Sequence, residues 1–223
     1  MTTRITGPRL PPMGGHKADR LIVFVHGYGA DGNDLIGLGA QWARSMPSAA
    51  FASPHAPQPC AMNPGGYQWF PISRLSPDEM LRGVQSAASI LDQFLDEELA
   101  RLGLDASRLA LVGFSQGTMM SLHVGLRRKV PPAAILGYSG ALAGAETLEH
   151  EITGKPPVML IHGDQDQMIP VQALFGASQA LGAAGVPCQW HISRGVGHGI
   201  DPEGLSLGGQ FLADAFRRRS IPE

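Results

Sequence analysis

Short apolar runs without polar alternation recur along the chain, and they constrain its fold more than any other feature. The first is RLIVFVHG at 20–27, where aliphatic and β-branched residues follow one another without a polar break. Such a run is typical of a strand that is buried on both faces of a parallel sheet. Similar runs stand at 49–54, 108–114, 133–140 and 157–164, and a further strand is predicted at 187–193.

Helical patterns separate these runs. One helix is expected after Ser76, because Ser76 can cap it, Pro77 suits its first position and Glu79 completes a capping box. Its apolar residues keep a 3.6-residue period until about Gly103. Strands that alternate with helices predict one α/β domain over 1–223, with a mostly parallel sheet and helices on both faces. The other predicted helices are at 115–129, 172–185 and 202–219.

Two regions do not follow this alternation. The segment from about His55 to Ser76, the proline-rich segment, contains four prolines and two glycines. Neither a regular helix nor a central strand is therefore expected there. A connection of that length in a compact domain tends to be functional. The first 18 residues carry Pro8, Pro11 and Pro12 and are expected to be irregular, without an assigned role.

Charge and cysteine content exclude several classes of function. The net charge is −2 and no basic stripe is present, so nucleic-acid binding is not expected, and the arginines at 217–219 are interpreted as a solvated helix end. No apolar stretch suggests membrane insertion or a secretory signal. Cys60 and Cys188 match no metal-binding spacing and are interpreted as reduced thiols of a cytoplasmic protein. The sequence leaves the oligomeric state open and permits a homodimer.

Ser115 is the candidate nucleophile. It stands in GFSQG, directly after the run at 108–114 and before a helical pattern, which is the strand–turn–helix context of a nucleophile elbow. The helix that follows places partial positive charge where an oxyanion would form. A second, similar segment, GYSGA at 137–141, lacks the second glycine and is interpreted as a loop.

His198 is the candidate base that would take the proton of Ser115. It follows the last predicted strand and stands between glycines in RGVGHGI, where the backbone can present the imidazole above the sheet. His26 and His162 also end strands, but each begins an HG pair and is interpreted as a turn-stabilising or core histidine.

Asp166 is the preferred third member of the triad. The loop HGDQDQMIP offers two carboxylates, of which Asp166 reaches further along the loop and Asp164 is expected to bond loop amides in an Asx-type turn. Asp201 is only three residues from His198 and is discounted. The chain order serine, aspartate, histidine is that of the α/β-hydrolases.

Two backbone N–H groups are expected to form the oxyanion hole. One belongs to Gln116, directly after the nucleophile, and the other to Tyr28 in the glycine-rich loop HGYGADGND. Because the donors are backbone groups, the side chains of these two residues are expected to matter less than the backbone geometry.

With these residues assigned, the chain resembles the phospholipase/carboxylesterase family over nearly its whole length. The resemblance rests on FVHGYGADGNDL, QWFPI, LSPDE, VGFSQGTMMSL, HGDQDQMIPV and GVGHGI. It implies an α/β-hydrolase fold without a large cap domain and with a shallow apolar groove for an acyl chain. In that groove Trp69 is the candidate for substrate contact, with core packing as the alternative.

The function expected from these residues is that of a serine carboxylesterase without metal or cofactor, acting on small to medium acyl chains. The alternative is a thioesterase acting on acylated protein cysteines, or a lysophospholipase, because one triad serves these leaving groups equally. A non-catalytic binding module on the same scaffold is the third hypothesis.

Overall fold

The computed structural model describes residues 3–218 and confirms the predicted α/β fold, in which strands alternate with helices. The strands are β1 (Arg9–Leu10), β2 (Arg20–Val25), β3 (Ala49–Ala52), β4 (Gln58–Pro59), β5 (Tyr67–Gln68), β6 (Leu109–Phe114), β7 (Ala134–Tyr138), β8 (Val158–Gly163) and β9 (Cys188–Ser193). The helices are α1 (Gly32–Trp42), α2 (Pro77–Leu102), α3 (Gln116–Arg127), α4 (Leu148–Glu151), α5 (Gln172–Ala183) and α6 (Pro202–Arg218).

Within residues 3–218 the main sheet has seven strands, in the order β1-β3-β2-β6-β7-β8-β9. All neighbouring pairs are parallel except β1 and β3, so the sheet is mostly parallel, as predicted. Strand β6 lies near the middle, with Gly113 opposite Val25 of β2 and Gly137 of β7. The residues after β6 therefore lie between the loop that follows β2 and the loop that follows β7. The short β4 and β5 pair with each other outside this sheet, within the proline-rich segment.

The inner strands of the sheet are buried on both faces, which explains why they show no polar alternation, whereas the edge strands β1 and β9 are partly exposed. Leu21 and Val23 of β2 pack in one core cluster with residues of α2, α3 and α5. Ile22 and Phe24, which point to the opposite face, pack in a second cluster with residues of α1 and α6. Two buried layers thus hold the strand ends in fixed relative positions.

Helix α1 was missing from the sequence prediction. Asp31 caps it by accepting a hydrogen bond from the Asn33 N–H at 2.6 Å, and Asp34 accepts one from the Asp31 N–H at 3.0 Å. The helix therefore begins with an acidic capping box. It buries Leu35 and Trp42 against the sheet.

The capping box predicted for α2 is only half correct. Ser76 Oγ accepts a hydrogen bond from the Glu79 N–H at 3.3 Å, as expected for the cap. In a full capping box the Glu79 carboxylate would accept a hydrogen bond from the Ser76 N–H. It accepts hydrogen bonds instead from the hydroxyl and N–H of Ser73 and from the N–H groups of Arg74 and Leu75, at 2.6–2.9 Å. These hydrogen bonds, that of the Ser73 hydroxyl first, lower the pKa of Glu79 to about 2. Glu79 thus holds the end of the proline-rich segment against α2.

The N-terminal segment is more ordered than predicted, because it supplies the edge strand β1. Arg9 of β1 donates hydrogen bonds to the carboxylate of Glu98 on α2 at 2.6 and 3.0 Å. Glu98 is 3% exposed and also accepts from Arg101 at 2.7 Å. Burial alone would raise the pKa of Glu98, but the hydrogen bonds from the two arginines lower it overall.

Three remaining expectations concern membranes, cysteines and the C-terminus. Within residues 3–218 no helix combines the length and apolarity needed to cross a bilayer. Cys60 is buried, Cys188 is half-buried, and both are free thiols. Arg217 and Arg218 end α6, as expected, while Arg219 lies outside the described residues.

Replacing Arg9 by methionine is expected to destabilise the protein by about 1–3 kcal/mol, because a buried carboxylate loses its bidentate partner. The matched control is Arg4→Met, since Arg4 pairs with Glu97 but its side chain is 74% exposed. That variant should stay within about 0.5 kcal/mol of wild type. Urea denaturation at neutral pH measures both free energies of unfolding, and equal losses in the two variants would contradict the role given to Glu98.

Candidate active site

Four loops that follow strands of the main sheet carry the predicted site residues. Tyr28 follows β2, Ser115 follows β6, Asp166 follows β8 and His198 follows β9. These strands are parallel, so their carboxyl ends lie along one edge of the sheet. Ligands of such sheets bind beyond this edge.

Ser115 occupies a strained turn between β6 and α3. Its backbone has φ 54° and ψ −116°, a positive φ that residues with a side chain rarely adopt. Such a conformation costs on the order of 1–3 kcal/mol and persists only where the surroundings impose it. Here the Ser115 N–H donates to Tyr138 O of β7 at 2.9 Å, and the Ser115 carbonyl accepts from the Thr118 N–H of α3 at 2.9 Å.

The glycines around Ser115 allow α3 to approach the sheet closely. A Cβ on Gly117 would overlap the carbonyl oxygen of Val25 at the end of β2. A Cβ on Gly113 would overlap the carbonyl of Gly117 in the same way. Both glycines of the GFSQG motif are therefore required by packing, and the motif is the consequence of a turn with no room for side chains.

Asp166 and His198 are directly hydrogen-bonded. The distance between His198 Nδ1 and Asp166 Oδ2 is 2.7 Å, and the Asp166 side chain has no exposed surface. The other carboxylate oxygen accepts the N–H groups of Met168 and Ile169 at 2.9 Å each. Burial would raise the pKa of Asp166, but the Ile169 N–H and the His198 ring lead the contacts that lower it overall. Asp166 is therefore a carboxylate fixed in one orientation.

The imidazole of His198 lies beside the turn that holds Ser115. Its ring centroid is 5.0 Å from that of Phe114, the residue before Ser115. Because Nδ1 faces a carboxylate, this nitrogen carries the proton of the neutral ring. Nε2 is then the nitrogen with a free lone pair, which is the form that a general base requires.

The two rejected carboxylates have other partners. Asp164 accepts the Gly195 N–H at 2.7 Å, so it bonds a loop amide as expected, but across to the next loop and not in an Asx-type turn. Asp201 accepts the Ser193 hydroxyl at 2.5 Å and the Gly204 N–H at 3.2 Å at the start of α6. Among residues 3–218, no group of three or more histidine, cysteine, aspartate or glutamate side chains could hold a metal ion.

His26 and His162 support neighbouring loops, which confirms the interpretation of both as turn or core residues. His26 is fully buried, with Nδ1 2.8 Å from Gly27 O and Nε2 accepting the Ala56 N–H at 2.9 Å. Burial lowers the pKa of His26, which keeps the ring neutral. His162 Nε2 lies 2.8 Å from Ile169 O and 3.2 Å from Asp166 Oδ2, so it braces the aspartate loop.

Ser139, in the second serine segment, has a structural role that the sequence did not reveal. It follows β7 with a positive φ of 45° and is 1% exposed. Its hydroxyl donates to Gly199 O at 3.3 Å. Ser139 therefore contacts the loop of His198 from the end of β7, which is separated from β9 by β8.

The two candidate oxyanion donors lie at the ends of neighbouring strands. Gln116 is the first residue of α3, where backbone N–H groups lack helical acceptors. The Tyr28 N–H belongs to the turn after β2. Neither N–H donates to another residue in the described part of the chain. Both are thus free to bind a substrate oxygen.

Trp69 does not lie where the sequence analysis placed it. Its side chain has no exposed surface and packs in the core cluster beneath the loops. Its indole N–H donates to the His26 carbonyl at 3.0 Å. The expectation of substrate contact is therefore wrong for this structure, and the packing alternative describes Trp69. Aromatic character alone does not distinguish a residue that contacts substrate from one that packs in the core.

The side chain of Gln116 is also more engaged than expected. It is fully buried, and its carboxamide bonds the backbone of the segment that contains Trp69. The expectation that only the backbone of Gln116 matters is therefore incomplete.

Comparisons with known proteins identify the family to which this chain belongs. The phospholipase/carboxylesterase family matches residues 13–215. The chain is 30% identical over 218 residues to acyl-protein thioesterase 1 of Gibberella zeae, covering 90% of each protein. It is 26% identical to the esterase YpfH of Escherichia coli, covering 90% of this chain and 83% of that protein. The crystal structure of esterase PE8 matches with a TM-score of 0.91 and 43% identity, covering 95% of this chain and 99% of that one.

Replacing Gly117 by alanine is expected to lower the free energy of unfolding by about 1–3 kcal/mol or more, because the new Cβ pushes α3 away from β2. Esterase activity should fall with it, since the displaced helix carries the Gln116 N–H. Thermal unfolding and hydrolysis of a p-nitrophenyl ester measure the two effects.

Gly182→Ala is the matched control, because this glycine also lies in a helix but a Cβ there meets nothing within 4 Å. Removing a helical glycine should stabilise the protein by up to about 1 kcal/mol and leave activity unchanged. A Gly117→Ala protein as stable and active as wild type would contradict the close approach described above.

Proposed function

Because the chain belongs to the phospholipase/carboxylesterase family, we propose that it is a serine carboxylesterase acting on esters of small to medium acyl chains. That it is a hydrolase of the esterase and thioesterase class follows from the family. The proposal adds the substrate and the residues: Ser115, His198 and Asp166 as the triad, and the Tyr28 and Gln116 N–H groups as the oxyanion hole. The observation that carries it is the 2.7 Å bond from His198 to Asp166 beside the strained turn of Ser115.

In the first half of the reaction Ser115 Oγ attacks the ester carbonyl, and His198 Nε2 takes the hydroxyl proton. The carbonyl oxygen becomes an oxyanion, to which the N–H groups of Tyr28 and Gln116 donate. When this intermediate collapses, the bond to the leaving group breaks, and His198 returns its proton to the departing alkoxide. The products are an alcohol and an acyl group bound to Ser115.

In the second half water takes the place of the alcohol. His198 removes a proton from the water, the resulting hydroxide attacks the acyl carbonyl, and the same two N–H groups bind the second oxyanion. Collapse then breaks the bond to Ser115, which recovers its proton from His198. Asp166 stabilises the imidazolium formed in each half and keeps Nε2 directed away from the carboxylate.

Apolar surface for an acyl chain must come from residues other than Trp69. Met168 is one candidate, because its side chain is 66% exposed and its N–H bonds the Asp166 carboxylate. An exposed methionine adapts to acyl chains of different shape, since its side chain is flexible and polarisable. We further propose that the enzyme works in the cytoplasm, where its two free thiols remain reduced.

The second candidate function is that of a thioesterase. It is favoured by the 30% identity to a protein named acyl-protein thioesterase 1. The same residues would act on a thioester, with a thiolate as the leaving group. A lysophospholipase is the remaining variant of this alternative.

Ser115→Ala is expected to lower kcat on a short p-nitrophenyl ester by about 10⁶-fold, because no other group on the enzyme would attack the carbonyl. The variant should also lose labelling by a fluorophosphonate. Ser121→Ala is the matched control, since its hydroxyl lies on the same helix, buried and without a partner among the described residues. If the Ser115 variant retains turnover, the assignment is wrong.

Oxygen and sulfur esters of one acyl chain separate the two candidate functions. The carboxylesterase proposal expects the higher kcat/KM on the oxygen ester. Because the triad can expel either leaving group, this preference would come from how the site binds the group beyond the oxygen or sulfur atom. Steady-state kinetics on both esters measure the ratio, and a clear preference for the thioester would support the alternative.

A further inference from the structure

We propose that the Gln116 carboxamide is a positioning residue that fixes both halves of the oxyanion hole relative to each other. Its backbone N–H is one donor, and its side chain holds the segment that positions the other donor, Tyr28. This inference rests on the proposed function, because the role of the two N–H groups belongs to that proposal. It goes further by giving the catalytic machinery a residue whose side chain never touches substrate.

The carboxamide makes two hydrogen bonds to the proline-rich segment. Gln116 Oε1 accepts the Trp69 N–H at 2.9 Å, and Gln116 Nε2 donates to the Phe70 carbonyl at 2.8 Å. The side chain therefore bonds a donor and an acceptor of the backbone at once. The side chains of all three residues are fully buried, so water does not replace these bonds if they are lost.

The clamped segment in turn holds the loop that carries Tyr28, on both sides of that residue. The Trp69 indole donates to the carbonyl of His26 at 3.0 Å, two residues before Tyr28. The carbonyl of Tyr67 accepts the Gly29 N–H at 2.8 Å, directly after it. Hydrogen bonds thus hold the backbone on both sides of Tyr28, and both come from the segment that the Gln116 side chain bonds.

Only a carboxamide of this length fits the contacts. A glutamate would place an anion against the Phe70 carbonyl, where the amide now donates. A methionine keeps the volume but leaves the Trp69 N–H and the Phe70 carbonyl buried without partners. In both variants the backbone N–H of residue 116 remains, so the variants separate the side chain from the donor.

The expected effect is on the transition state more than on substrate binding. Oxyanion donors act through their position, and a displacement of about 1 Å can cost on the order of 10²-fold in rate. Losing the clamp should therefore lower kcat and leave KM nearly unchanged. The pH dependence should not move, because the bond between Asp166 and His198 does not involve the clamp.

Gln116→Met is the first test. We expect kcat on a short p-nitrophenyl ester to fall about 10–100-fold, with KM within about 2-fold of wild type. The affinity for a trifluoromethyl ketone, whose tetrahedral adduct with Ser115 carries an oxyanion, should fall by the same factor as kcat/KM. The pH profile of kcat/KM should keep its midpoint.

Gln68→Met is the matched control. Gln68 belongs to the same segment, is 7% exposed, and bonds the side chain of Gln58, another residue of that segment, at 3.2 Å. This variant loses a hydrogen bond of a buried side-chain carboxamide, as Gln116→Met does, and should keep wild-type kcat and inhibitor affinity. A general loosening of the segment would affect it as well, so a wild-type result isolates the clamp.

Trp69→Phe tests the next link, and it applies even if Gln116→Met does not fold. It retains an aromatic ring and removes the indole N–H that bonds the His26 carbonyl. It should show the same fall in kcat and in inhibitor affinity. In the double variant the losses should be smaller than the product of the single ones, because both changes release the same loop.

The inference is overturned if folded Gln116→Met keeps wild-type kcat and inhibitor affinity. It is equally overturned if Trp69→Phe does so when Gln116→Met is unfolded, or if either variant loses only thermal stability. The proposed function fails by a different observation, namely an active Ser115→Ala variant or a wild type that a fluorophosphonate does not label.

Discussion

The close approach of α3 to the carboxyl end of β2 is the contact on which the site depends. A helix that begins directly after a strand must turn sharply, and here it does so with Gly117 against the Val25 carbonyl. Ser115 makes this turn with a positive φ, and the Gln116 N–H lies at the start of the helix. The two buried layers of the sheet resist any relaxation of the turn, because moving α3 would open the core beneath it.

The loop of His198 is held by residues that themselves take no part in the proposed reaction. Asp164 bonds it before the histidine, through Gly195, and Ser139 bonds it after the histidine, through Gly199. Asp201 closes its end at the start of α6. A glycine-rich loop is flexible by composition, but these bonds from the ends of β7 and β8 and from the start of α6 give the imidazole a defined place. The glycines allow close approach, and the polar side chains supply the rigidity.

The inner strands, the longer helices and the candidate residues at strand ends could be predicted from local patterns, because burial on both faces of a strand imposes an apolar composition. Helix α1 was not predicted because it has several glycines and an acidic cap in place of a long apolar stripe. The helical periodicity of its apolar residues is therefore weak. The roles predicted for Trp69 and for the Glu79 side chain were wrong for another reason. Their roles depend on which distant backbone groups come within reach, and a linear pattern does not contain that information. The same is true of the Gln116 carboxamide.

The pairing of β1 with β3 has a consequence for solubility. Without β1, the outer edge of β3 would present unpaired backbone groups to a second molecule, and such edges promote association. β1 is only two residues long, and Pro11 directly after it has no N–H to offer a further strand, so this edge is a poor template for pairing. Residues 3–12, which contain β1, carry none of the proposed catalytic groups. Shortening or tagging this end should therefore change aggregation before it changes turnover, and light scattering would detect the difference.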